Sequence, residues 1–210
     1  MDIPVMPEPN SGPDAGSANA ASIRLVGIIG AGQMGNGIAH VASLANYDVL
    51  LNDLSSEAYD KAMKTISRNM DRQVAKGVIS EDAKSEALER ISFAENFGSL
   101  GNCDMVIEAA VEDESIKRNI FTALCKEIKP ETIIATNTSS ISVTRLASIT
   151  DRPDRFIGMH FMNPVPLMEL VELIRGIATE DDTFETSRTF VHSLGKTTAC
   201  LLYTSPSPRD

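Results

Sequence analysis

Three glycines stand at the first, third and sixth places of Gly30-Ala31-Gly32-Gln33-Met34-Gly35, a pattern that suits the cradling of phosphates. Glycines at the first, third and sixth places of such a sextet permit a tight turn, a backbone that approaches a diphosphate with no side chain between, and close packing of a helix on a strand. Gly30, Gly32 and Gly35 take those three parts, with Gln33 and Met34 between them. The sextet follows the apolar run Arg24 to Ile29 and precedes a helix-like run, Asn36 to Leu44, so the free N–H groups at the helix start would face the phosphates. Asp53 ends a second apolar run, 23 residues on from Gly30. A carboxylate there accepts hydrogen bonds from ribose hydroxyls and repels a 2′-phosphate, and no arginine follows in Leu54-Ser55-Ser56. The pattern therefore points to NAD rather than NADP. A structural glycine turn and a solvated aspartate capping the next helix are the plainer alternatives.

The chain has three histidines. His40 and His192 fall within helix-like stretches, where packing or solvent accounts for them. His160 closes the apolar run Phe156-Ile157-Gly158-Met159 and precedes Phe161-Met162-Asn163-Pro164-Val165-Pro166. A strand end beside a rigid proline-rich turn is where α/β sheets place ligand-facing groups. In the next apolar run, Met168 to Leu173, one of the two carboxylates, Glu169 or Glu172, is expected to point inward. A half-buried carboxylate needs a partner, and a nearby imidazole is the natural one. Spacing alone leaves a His160/Glu172 dyad and a purely structural pairing equally open. Cys103, Cys125 and Cys200 form no CxxC or Cys/His cluster, so they read as reduced, buried small hydrophobes with no metal site.

These residues need a scaffold. Short apolar runs at Arg24 to Ile29, Asp48 to Asn52, Met105 to Glu108, Thr132 to Thr136, Phe156 to His160 and Met168 to Leu173 read as strands. Helix-like stretches run from Met34 to Leu44, Ser56 to Lys76, Glu81 to Arg90, Ser115 to Glu127 and Asp182 to Ser193. Strand and helix in alternation require a doubly wound α/β fold, a mostly parallel sheet with helices on both faces. Gly195 to Cys200 could lead into a further strand, but the closing LLYTSPSPRD carries no helical pattern. With 210 residues, 42% hydrophobic and 23% charged, the chain has globular composition and room for one domain, or one and a half. A net charge of −10 argues against nucleic acid or an anionic membrane as partner. Residues 1–22 lack a basic start and an apolar run, so they read as a disordered tail rather than a secretory signal or transit peptide. Acidic composition and reduced cysteines favour the cytoplasm.

Together, GAGQMGNGIAH with Asp53, IEAAVEDESIKRNIF, ATNTSSISVTRLA and GMHFMNPVPLMELVELIRG resemble the 3-hydroxyacyl-CoA dehydrogenases, especially those acting on 3-hydroxybutyryl-CoA. The resemblance covers roughly residues 23–198, and the HFMNPVPLMELVE stretch is its specific part. It implies a Rossmann-like fold and NAD-dependent oxidation of a 3-hydroxyacyl-CoA to the 3-ketoacyl-CoA. It further implies that His160 is the general base, that Glu172 orients it and that Ser139 hydrogen-bonds the substrate near its reacting oxygen. Glu112, Lys117 and Asn163 match cofactor-contacting positions. Without the resemblance, Glu112 and Lys117 read as a solvated helix start, and Ser139 as a turn residue or helix cap. The family continues into a helical domain that builds a homodimer and covers the substrate. The sequence is expected to lack that domain, and residues after about Cys200 are expected not to be native family sequence, through truncation, frameshift or an assembly artefact. Two other readings remain. A non-catalytic NAD-binding or structural protein on this scaffold is opposed by the retained His160, Glu172 and Ser139. A dehydrogenase with a lysine-centred site is opposed by the HFMNP run.

Overall fold

The computed structural model describes residues 23–202. The expected tail at 1–22 and the last eight residues of the anomalous C-terminal segment lie outside the described residues. Eight strands form one sheet: β1 Leu25–Ile29, β2 Asp48–Asn52, β3 Ile91–Ala94, β4 Met105–Glu108, β5 Ile133–Thr136, β6 Phe156–Phe161, β7 Leu170–Arg175 and β8 Thr197–Leu202. Their order across the sheet is β3-β2-β1-β4-β5-β6-β7-β8, parallel throughout except where β7 runs against β6. Six α-helices connect them: α1 Gln33–Leu44, α2 Ser56–Ala75, α3 Glu81–Glu89, α4 Glu114–Leu124, α5 Val143–Ala147 and α6 Asp181–Ser193.

Alternation along the strands explains why they read as unbroken apolar runs. Val26, Ile28, Met105, Ile107, Ile157 and Met159 pack into one core with Ile38, Ile66 and Phe190 of α1, α2 and α6. Ile29, Val106, Ile134 and Phe156 face the other way, against Phe121 and Leu124 of α4 and Leu146 of α5. A sheet covered on both faces needs apolar residues at successive positions, which is the expected doubly wound architecture. Most helices start on a side-chain cap that accepts from a backbone N–H: Ser55 from Ala58, Ser80 from Ala83, Asp113 from Ile116 and Ser142 from Arg145. Helix α1 starts at Gly32 with no side-chain cap, leaving its first N–H groups available.

Several details differ from the sequence reading. Strand β3 and the one-turn α5 were not anticipated, and α4 ends at Leu124 rather than at Glu127. Strand β7 starts at Leu170, because the turn before it occupies Pro164–Met168. The chain after Gly195 does form a strand, β8, which reaches Leu202 at the sheet edge. Cys103 is buried as expected, but Cys125 is half-buried and Cys200 is exposed on that edge strand. Among the described residues no helix is long and apolar enough to cross a membrane.

Candidate active site

The sheet order reverses between β1 and β4, and the glycine turn leaves β1 at that switch point. Gly30 has φ +99°, and a Cβ there would lie 2.7 Å from the Ala109 carbonyl oxygen at the end of β4. Gly35 is more restricted, since its Cβ would lie 1.6 Å from the Gly30 oxygen. A Cβ on Gly32 would meet nothing within 4 Å. So Gly30 and Gly35 are required by the fold itself, while Gly32 borders open space beside the uncapped start of α1. That combination can hold a diphosphate.

Asp53, just past β2, accepts the Ala31 N–H at 2.6 Å and the Leu54 N–H at 2.7 Å. The cap of α2 is Ser55, so Asp53 braces the glycine turn instead of serving as a solvated cap. Next to it lies a cleft of about 460 Å³ whose walls include Leu54, Phe97, Val111, Ile116 and Ile120. Leu54, Val111 and Ile116 are exposed, a placement suited to a flat apolar ring such as a purine. On the other side of the turn a cleft of about 530 Å³ is bordered by Gln33, Lys61, Arg68 and Asn163. Gln33 Nε2 donates to Asn163 Oδ1 at 3.1 Å, so the glycine turn and the proline-rich loop meet there. Met34, the other residue inside the sextet, is half-buried and packs on the core.

Beyond β4 a buried polar chain leads to Ser139. Lys117 occupies the buried stripe of α4 with Phe121 and Leu124, and its ammonium donates to both oxygens of Glu108, at 2.6 and 2.8 Å. Both side chains are fully buried, so the reading of Lys117 as part of a solvated helix start is wrong. Glu108 also accepts from Thr136 Oγ1 at 2.6 Å and from the Ala110 N–H at 2.8 Å, which leaves no obvious orphan. Lys117 stands 3.5 Å from Glu112, whose Oε1 accepts from the Ser139 N–H at 2.9 Å and from the Ser140 N–H and hydroxyl at 3.2 and 3.0 Å. Burial disfavours charge on Glu112, but bonds from Thr138 and Ser139, with Lys117 and Ser140, hold its carboxyl below the ordinary range. Ser139 therefore lies on a loop buckled to Glu112, and the cap of α5 is Ser142.

Antiparallel pairing sets His160 of β6 opposite Glu172 of β7, so the two side chains share a face. His160 Nδ1 stands 2.9 Å from Glu172 Oε2. With Glu172 ionised, Nδ1–H donates to it and the lone pair is left on Nε2, which meets no partner among the described residues. The side chains are 21% and 29% exposed, enough for access and enough burial for the bond to persist. Asn137 Oδ1 accepts the Phe161 N–H at 2.8 Å, tying the Ser139 loop to the His160 strand. Glu169 precedes β7 and is exposed, so Glu172 is the inward carboxylate. His40 is buried and bonded to Gln73, and His192 reaches Thr198, as ordinary packing predicts.

Sequence reasoning overlooked Glu108, although a carboxylate closing the apolar run Met105-Val106-Ile107 was a usable signal. It also overlooked Asn137 and the apolar cleft walls, whose contacts join distant elements.

The chain matches the family described as 3-hydroxyacyl-CoA dehydrogenase, NAD binding domain, over residues 25–202. It is 63% identical over 180 residues to a 3-hydroxybutyryl-CoA dehydrogenase of Bradyrhizobium diazoefficiens, covering 86% of this chain and 61% of that protein. A probable 3-hydroxybutyryl-CoA dehydrogenase of Deinococcus radiodurans is 46% identical, with 81% and 61% covered. The crystal structure of an (S)-3-hydroxybutyryl-CoA dehydrogenase from Ralstonia eutropha superposes with a TM-score of 0.85 at 44% identity, covering 86% of this chain and 64% of that one. The chain thus spans about 61% of the length of these curated relatives.

Proposed function

The chain belongs to the 3-hydroxyacyl-CoA dehydrogenase family through its NAD-binding domain, and from that premise we propose that it carries the base for oxidising an (S)-3-hydroxyacyl-CoA, with 3-hydroxybutyryl-CoA as the short-chain candidate, to the 3-ketoacyl-CoA. The observation that carries this reading is the His160–Glu172 pair, 2.9 Å apart with Nε2 unpartnered among the described residues, at the same end of the sheet as the glycine turn, where the parallel strands β1 and β6 finish.

The residues fit NAD. Gly32 leaves room for the diphosphate, Asp53 offers a carboxylate for the ribose, and Leu54, Val111 and Ile116 frame an apolar slot for the adenine. Bound NAD supplies the acceptor for the hydride leaving C3. His160 Nε2 takes the hydroxyl proton, and Glu172 steadies the resulting imidazolium through Nδ1–H. Ser139 orients the reacting oxygen, held in place by Glu112. Lys117 acts through Glu112, since Glu108 encloses its ammonium. Asn163, tethered by Gln33, stands on the nicotinamide side.

The test pairs two measurements on the purified chain. NADH titration followed by fluorescence, with NADPH alongside, should show saturable binding that favours NADH. Reduction of acetoacetyl-CoA with NADH should then fall by a factor of about 10² to 10⁴ in His160→Ala, while NADH affinity stays within about twofold because Asp53 and the glycine turn are untouched. Unchanged turnover in the variant removes His160 as the base. Binding of NADH with no turnover by the parent chain would instead favour a non-catalytic NAD-binding protein.

A further inference from the structure

Lys196 follows Gly195 in the turn between α6 and β8 and is only 8% exposed. Among the described residues no carboxylate pairs with it. Its ammonium instead donates to two backbone carbonyls, Val165 and Met168, each at 2.7 Å. Burial pushes its pKa down, opposed by the charge on Glu169. An ammonium held this deeply with no carboxylate in contact is costly where packing alone is needed, and a methionine would fill the same space at lower cost. Its donors are well used, however, because the two carbonyls bracket one turn. Inside that turn the Leu167 and Met168 N–H groups both donate to the Pro164 oxygen at 3.0 Å.

The same loop is also held by α1. A Cβ on Gly37 would lie 2.8 Å from Val165 Cβ, so helix and loop touch there, and Gln33 bonds Asn163 one turn earlier. The loop joins the strand that bears His160 to the strand that bears Glu172. Just past Lys196, the Thr197 N–H donates to the Glu169 oxygen at 2.9 Å, opening the β7–β8 ladder.

We infer that Lys196 is a positioning residue: it clamps Val165 and Met168 so that the loop carrying Asn163 presses on α1 and keeps its place between the glycine turn and His160. This rests on the proposed dehydrogenase reading, in which Asn163 and His160 face the nicotinamide and substrate. A loop released on the Lys196 side keeps the adenosine half of the site intact, since no loop residue lines the apolar slot and Asp53 is held by backbone N–H groups of its own turn and of Ala31, and it loses alignment where hydride moves.

Hydrogen exchange, NADH titration and acetoacetyl-CoA turnover on Lys196→Met, each beside the parent chain, test the inference. The Leu167 and Met168 amides should exchange at least about tenfold faster while amides of β1, β2 and β4 stay as in the parent. Turnover should fall about tenfold to a hundredfold with NADH affinity within about twofold. Lys196→Arg, which keeps a cation in the pocket, should recover part of both losses. If Lys196→Met does not fold, Lys196→Gln, which keeps one donor, is read the same way. Unchanged loop exchange overturns the inference, and so does loosening spread evenly over the sheet, the mark of a merely structural role. Local loosening with undiminished turnover overturns it too. A parent chain that fails to bind NADH refutes the dehydrogenase reading, while the exchange pattern still decides whether Lys196 holds the loop.

Discussion

Gly32 and Gly35 of the same turn should respond to the same substitution in opposite ways. In Gly35→Ala the new methyl falls 1.6 Å from the Gly30 oxygen, and ordinary contact begins near 3.4 Å, so the start of α1 has to move by about 1.8 Å. Both partners are backbone, so no side chain can swing aside. Overpacking of this kind costs about 3 kcal/mol, the upper end of the usual range, which lowers the melting temperature by about 6 to 12 °C in a domain of this size. In Gly32→Ala the methyl meets nothing within 4 Å, and the residue has φ −64°, which alanine adopts freely. Restricting the unfolded chain adds about 0.4 to 1 kcal/mol of stability, offset by the poorer helix cap that alanine makes. The melting temperature should therefore stay within about 2 °C of the parent. That methyl occupies the open space where a diphosphate would approach, so NADH should bind at least about tenfold more weakly, equivalent to 1.4 kcal/mol. Circular dichroism melts and fluorescence titrations of both variants make the comparison. A Gly35→Ala protein that melts like the parent refutes the packing argument. A Gly32→Ala protein that binds NADH normally refutes the placement of the diphosphate.

Removing one member of the buried Glu108–Lys117 pair strands the other, so Glu108→Gln and Lys117→Met should each cost about 3 to 5 kcal/mol in urea unfolding, and the double variant less than their sum. Additive losses would show that the two do not act as a pair. Asp53→Ser should narrow the preference for NADH over NADPH by about tenfold or more, measured as the ratio of dissociation constants; an unchanged ratio removes Asp53 from the ribose. Burial, with the neighbouring Asp104 charge and against the opposing pull of Lys129, pushes the Cys103 thiol up to about 12. It should resist iodoacetamide in the folded protein at pH 8, and mass mapping should find Cys200 labelled first. Because the Cys103 thiol stays protonated when folded and ionises near 9.0 when unfolded, its contribution to stability should decline as pH rises above that value.

Legibility followed distance along the chain. The turn Gly30 to Gly35 and Asp53 could be read because strand, turn and helix are contiguous there, so that the glycine spacing shows within one short stretch of sequence. The pairing of His160 with Glu172 was half legible: the residues were evident, but only the antiparallel register of β6 and β7 sets them face to face. Strand β3 escaped notice because Ile91-Ser92-Phe93-Ala94 follows α3 with no turn residue to announce it. Lys117 looked solvated among Asp113, Glu114 and Arg118, and its burial depends on a carboxylate nine residues earlier on another element. Lys196 likewise acquires its part from a loop about 30 residues away in sequence.

The contact between Gly30 and Ala109 has a kinetic corollary. All the glycines of the turn lie within six residues, yet the turn takes its shape against β4, some 80 residues further on. Such long-range parallel pairing forms late in folding, because a large loop must close before any contact rewards it. Competence to bind NADH on refolding should therefore arise with β1–β4 pairing rather than with early helix formation, and an isolated strand-helix-strand peptide holding every glycine and Asp53 should stay unable to bind it.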